Sequence, residues 1–109
     1  MNFDDYQGES RKTAIYPSID NNIQYPTLGL CGECGEVAEK IKKIMRDKAG
    51  IVSLDDRECI KHELGDVLWY VAALCSELNL SLNEVAEFNI RKLKSRQDRD
   101  ILKGNGDNR

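Results

Sequence analysis

The stretch "GLCGECGEVAEK", Gly29 to Lys40, sets two kinds of chemistry side by side on one helical period. Cys31-x-x-Cys34 has the spacing of a zinc or redox pair, and Glu33 and Glu36 are interleaved with it, three residues apart. Leu30, Cys31, Cys34, Val37, Ala38, Ile41, Ile44 and Met45 recur at intervals of three and four. That period predicts a long helix from about Pro26 or Thr27 to Lys48, stopped by Gly50.

Working outward, the next segment opens at Ser53 with Asp55 and Asp56 in its first turn, where a helix dipole favours anions. Its apolar stripe is Ile60, Leu64, Val67, Val71, Leu74, Cys75 and Leu78. From Val67 to Cys75 it is apolar almost all round, so it needs cover on more than one side, and in a short chain the extra face points to another subunit. "SLNE" then reads as a capping box, Ser81 with Glu84, for a fourth helix carrying Leu82, Val85, Ala86, Asn89 and Leu93 inward. Before all of these, a weakly patterned helix from Asp4 to Ile15 is followed by the loop "PSIDNNIQYPT". No segment alternates with strand period. The expectation is an all-α fold, a single domain over 1–109 with a four-helix core bundle at about 24–96 and a polar tail at about 97–109, assembled as a homo-oligomer.

The 109 residues are 40% apolar and 32% charged, with net charge −3. Such a composition fits one folded domain and lacks the basic footprint of a nucleic-acid-polymer binder. It leaves room for single nucleotides, which need only a local site. The start "MNFDDYQGES" is acidic and polar rather than a secretory leader, and no apolar run approaches the ~20 residues of a membrane span. A cytoplasmic protein with four free thiols is expected, with no membrane partner.

Which pair carries the chemistry? At ~100° per residue, Cys34 falls in the middle of the stripe and Cys31 at its edge, so both are expected in the core as small hydrophobes. Cys59, Cys75 and the single His62 do not complete a structural zinc set. Glu33 and Glu36 flank the stripe, and "ELGD" repeats the device with Glu63 and Asp66. If the two helices pack together, four carboxylates converge. Such an arrangement is costly without a cation or shared protons, and hard oxygen ligands suit Mg²⁺ or Mn²⁺. The alternative is an ordinary solvated face, with Glu36 paired to Lys40. Gly32, Gly35 and Gly65 adjoin these acids inside helices, either for close packing or for room beside a metal or phosphate.

"GLCGECGEVAEKIKKIMRDK" followed by "ELGDVLWYVAALCSELNLSLNEVAEFNIRKLKSR" resembles the MazG-like branch of the all-α NTP pyrophosphatases, from about Gln24 to Arg96. The family pattern is Glu-Glu-x-x-Glu, a spacer, then Glu-x-x-Asp; here Gly32 stands for the first Glu. The resemblance implies Mg²⁺-dependent hydrolysis of a nucleoside triphosphate to monophosphate and pyrophosphate, by a dimer or tetramer. It implies Glu33, Glu36, Glu63 and Asp66 as metal ligands, and Asn89 and Lys92 at the metal–phosphate site. Glu36 or Glu39 is the candidate proton acceptor for the attacking water. Lys40, Lys43 and Arg46 are candidates to hold phosphate oxygens, against ordinary surface charge. "YQxxxxxTA" resembles the start of such proteins and makes Gln7, Arg11 and Lys12 candidates to touch the nucleotide. Trp69 is either a base-stacking or a core residue. The alternative function is a non-catalytic helical oligomer, a binding or regulatory partner with a vestigial acidic site.

Overall fold

In a computed structural model of all 109 residues, the chain forms four helices and no strand. They are α1 (Phe3–Arg11), α2 (Gln24–Lys48), α3 (Leu54–Glu77) and α4 (Leu82–Asp98). Each boundary has a local cause. The Asn2 side chain caps α1 by accepting from the Asp5 N–H. α1 stops at Arg11, short of the expected Ile15, because the backbone tightens into successive i→i+3 bonds from Lys12 to Ala14. α2 ends with Ala49 and Gly50 both left-handed, at φ 51° and 78°. The reciprocal capping box belongs to α3, where Ser53 and Asp56 each satisfy the other's N–H. At α4 only half the expected box forms: the Ser81 hydroxyl accepts from the Glu84 N–H and donates to Asp4, and the Glu84 side chain does not return a bond to the Ser81 N–H.

α2 and α3 form a long antiparallel hairpin, and α1 lies along the other edge of α3. α4 packs on α1 and α3 and does not reach α2. One chain is therefore an open layer with an appended helix, not a closed four-helix bundle. Its only buried cluster is small: Ala72, Cys75 and Leu82, with Tyr6, Leu68 and Val71 against it. The radius of gyration is 16.8 Å, where a compact chain of this length has about 13 Å.

The loop between α1 and α2 is fastened to α3 through Glu77, whose side chain is fully covered. Its carboxylate accepts from the Tyr16 hydroxyl, the Arg11 guanidinium and the backbone N–H groups of Asp20 and Asn22. Burial pushes this carboxyl up, but those four donors outweigh it and bring its pKa down to about 2. Tyr16, held there, stacks on Tyr25 at 4.7 Å and meets Trp69 edge-on.

One expectation about α2 is corrected. Cys31 and Cys34 are exposed, while the residues turned toward α3 are Leu30, Glu33, Val37, Lys40 and Ile44. The apolar stripe of α2 is wider than one partner helix covers. α3 takes the flank that carries Glu33, and the flank of Cys31, Cys34, Ala38, Ile41 and Met45 stays open. Of the four cysteines only Cys75 is buried.

Candidate active site

Because Glu33 lies on the side of α2 that faces α3, it meets the "ELGD" turn of that helix. Single carboxylate oxygens of Glu33, Glu63 and Asp66 all lie within 4.8 Å of one another. Two acids on α3 one turn apart plus one from the facing helix make three hard donors around a common point. No cysteine joins that group. Burial first, then the charges of Asp66, Glu63 and Glu36, raise the Glu33 carboxyl above its ordinary range. Three like charges crowded together are short of a cation.

Glu36 is exposed on the flank of the cluster, close enough for its charge to act on Glu33 but outside the mutual 4.8 Å group. Glu39 is exposed on another side of α2 and ion-paired with Lys42, which holds its carboxyl below the usual range. Lys40 lies 3.5 Å from Glu63 and supplies part of the missing positive charge. It also lines a groove of about 190 Å³ with Lys43, Lys48, Asp47, Asp56 and Cys59.

Other residues singled out from the sequence are placed elsewhere. The Gln7 amide donates to the Ser76 hydroxyl and the Leu80 carbonyl and accepts from the Leu82 N–H, tying α1 to the α3–α4 turn. Arg11 is held by Glu77 and Asp20, and Lys12 by Glu9. Arg46 pairs with Asp47. Asn89 is exposed on α4, and Lys92 pairs with Asp107.

On one side of the acids lies a cleft of about 340 Å³ lined by Thr13, Glu33, Asp66, Trp69 and Tyr70. The Trp69 indole N–H donates to Thr13 at 2.8 Å, which fixes the ring as the cleft wall. Tyr70 meets Trp69 edge-on at 5.0 Å. Gly29 is what lets Tyr70 sit there: an added Cβ would come 2.1 Å from the ring. By contrast Gly32, Gly35 and Gly65 have nothing within 4 Å of an added Cβ, so no contact within the chain requires them. The segment after α1 reaches this cleft through Thr13, the threonine of the "YQxxxxxTA" stretch, whereas Gln7, Arg11 and Lys12 do not line it.

The all-helical hairpin turns a three-carboxylate cluster, a candidate site for a divalent cation, toward an aromatic-walled cleft. Residues 22–100 match the MazG nucleotide pyrophosphohydrolase domain. The chain belongs to that family of hydrolases. It is also 46% identical to the Gene 37 protein of Mycobacterium phage L5, over 114 aligned positions that cover all of both chains. No solved structure matches it. No helix is long and apolar enough to cross a membrane.

Proposed function

We propose that the chain hydrolyses nucleoside triphosphates to the monophosphate and pyrophosphate with Mg²⁺, or Mn²⁺ in its place. The observation that carries this is the convergence of Glu33, Glu63 and Asp66 within 4.8 Å in a chain of this family. Three carboxylates, one with its pKa raised by burial and then by its acidic neighbours, fit a hard divalent cation, which would replace repulsion with attraction. When bound, that ion supplies charge neutralisation of the phosphate oxygens and Lewis acidity.

The chain's own residues do the rest. Glu33, Glu63 and Asp66 hold the cation, with Glu36 completing the set from the flank. Glu36 is also the better placed of the two candidate proton acceptors, because Glu39 is tied up by Lys42. Lys40 and Lys43 continue from Glu63 along the groove and take the phosphate chain. Trp69 and Tyr70 present aromatic surface to the base in the separate cleft that Glu33 and Asp66 also line, with Thr13 fixing the indole.

The same reading includes a homo-oligomer, a dimer at least. The chain exposes 8082 Å², where a compact protein of this mass exposes about 6,100 Å². The difference is of the order that a stable interface removes. The apolar flank of α2 (Cys34, Ile41, Met45), Leu64 of α3 and Leu78 at its C-cap are all exposed. Two hairpins joined by these faces make a four-helix core.

The test is product analysis with a panel of ribo- and deoxynucleoside triphosphates and Mg²⁺, for wild type and Glu63→Gln. Monophosphate plus pyrophosphate, lost in the variant, is the expected result. A non-catalytic helical partner is favoured by one observation, Gly32 in place of the first family glutamate; absence of turnover on every substrate would select it.

A further inference from the structure

Four aromatic rings close a circuit beside the acid cluster. Tyr16 stacks on Tyr25, Tyr25 tilts against Tyr70 at 6.5 Å, Tyr70 meets Trp69 edge-on, and Trp69 meets Tyr16 edge-on at 6.5 Å. Trp69 and Tyr70 line the cleft with Glu33 and Asp66, while Tyr16 stands behind them and is the one buried ring of the four. The polar groups of the Trp69 wall are spent inside the chain. The indole N–H donates to Thr13, and the Thr13 hydroxyl donates to the Ser10 carbonyl at 2.6 Å. Trp69 therefore offers a ligand its π face and no donor, so its contribution depends on where the ring lies. α3 fixes the backbone of Trp69, but its side chain is held by Thr13, Tyr16 and Tyr70. Two of those three belong to the segment between α1 and α2. That segment is bent into a conformation that needs fastening: Ser18 and Asp20 both have left-handed backbones, at φ 54° and 70°. Glu77 fastens it at the Tyr16 hydroxyl and at the N–H groups of Asp20 and Asn22, and Arg11 bridges Glu77, Asp20 and Tyr16. Glu77 stands about two turns beyond Trp69 on the same helix, so the aromatic wall and its fastening share one rigid element.

We propose that Glu77 is a positioning residue for the base of a bound nucleotide: through Tyr16 it holds the Trp69 face in place, so that the α1–α2 segment sets affinity for the base and leaves the phosphate end alone. Glu77 touches neither the cleft nor the acids, and acts only by way of the rings. Stacking uses a π face that every base has, so purine and pyrimidine nucleotides depend on the fastening alike. The assignment rests on the hydrolase reading above for the identity of the ligand and for its bearing on turnover.

The probes are the two expected products, each alone with the full chain: adenosine or cytidine monophosphate without metal, and pyrophosphate with Mg²⁺. Trp69 is the chain's single tryptophan, so quenching of its fluorescence reads the monophosphates, and calorimetry reads pyrophosphate. The variants are Glu77→Gln, Tyr16→Phe and the two combined; Tyr16→Phe keeps the ring and decides the matter if Glu77→Gln does not fold. Expected are monophosphate affinities weaker by roughly fivefold in Tyr16→Phe and roughly tenfold in Glu77→Gln. The double variant binds no more weakly than Glu77→Gln, because the two act through one contact. Pyrophosphate affinity is the same in all of them. Monophosphates that do not quench wild type, monophosphate affinity unmoved in the variants, or both products weakened alike, as a loosened fold would give, would overturn the assignment. Under the hydrolase reading Tyr16→Phe also raises KM for the triphosphate with kcat unmoved. The expected split between the two products without any turnover would retire the hydrolase and keep the positioning role. Turnover with monophosphate affinity equal in wild type and variants would retire the positioning role and keep the hydrolase.

Discussion

Replacing Glu77 by Gln removes one charge and almost no volume, which isolates the anchor of the α1–α2 loop. The carboxylate accepts from four donors, and its side chain is fully covered. A fall in pKa from 4.5 to about 2 corresponds to stabilisation on the order of 3 kcal/mol at neutral pH. Removing one partner of a buried ion pair costs about 3–5 kcal/mol by a separate line of reasoning. The sign follows from linkage. The folded pKa is depressed, so the contribution is fully present above pH 4.5 and is lost as pH falls toward about 2. Urea unfolding of wild type and Glu77→Gln between pH 7 and pH 2 is the assay. A gap of about 3 kcal/mol at pH 7 that closes in acid is expected. A gap below about 1 kcal/mol at pH 7, or one constant with pH, would refute the assignment.

Four further outcomes are expected. Gly29→Ala drives a methyl group into the Tyr70 ring and lowers stability by about 1–3 kcal/mol, whereas Gly35→Ala, with open space around it, gains up to about 1 kcal/mol in helix propensity; urea midpoints of the two variants decide it. Mg²⁺ or Mn²⁺ raises the melting temperature of wild type by mass action and does so far less for Asp66→Asn, read by calorimetry with and without chelator. Since Glu33 has a raised pKa, its protonated form favours the metal-free fold, and that contribution is lost as pH rises from 4.5 through the folded value; Glu33→Gln flattens this part of the stability profile, and metal affinity weakens as pH falls. Sedimentation finds a multiple of the 12.4 kDa chain mass, with Cys34 slow and Cys59 fast toward maleimide; a monomer with both thiols fast would refute the proposed assembly.

The helix count, the termini at Lys48 and Ser53 and the place of "ELGD" were legible because helical period and capping are local properties. The meeting of Glu33 with Glu63 and Asp66 was legible too, because two acids at the edge of two apolar stripes can converge only if the helices pack. The burial of Cys31 and Cys34 was misread. A stripe shows which residues avoid water, not which neighbour covers them, and α2 has apolar surface on two flanks. Glu77 could not be found by period, since a buried acid is recognised only by donors that lie 55 or more residues away.

Whether the three-carboxylate cluster carries nucleotide chemistry is decided by separating the products of α-, β- and γ-labelled triphosphates incubated with Mg²⁺ and the protein. Monophosphate and intact pyrophosphate are expected, abolished by Glu63→Gln in a variant that still folds. Diphosphate and phosphate would contradict the cleavage point, and equal turnover by Glu63→Gln would contradict the site.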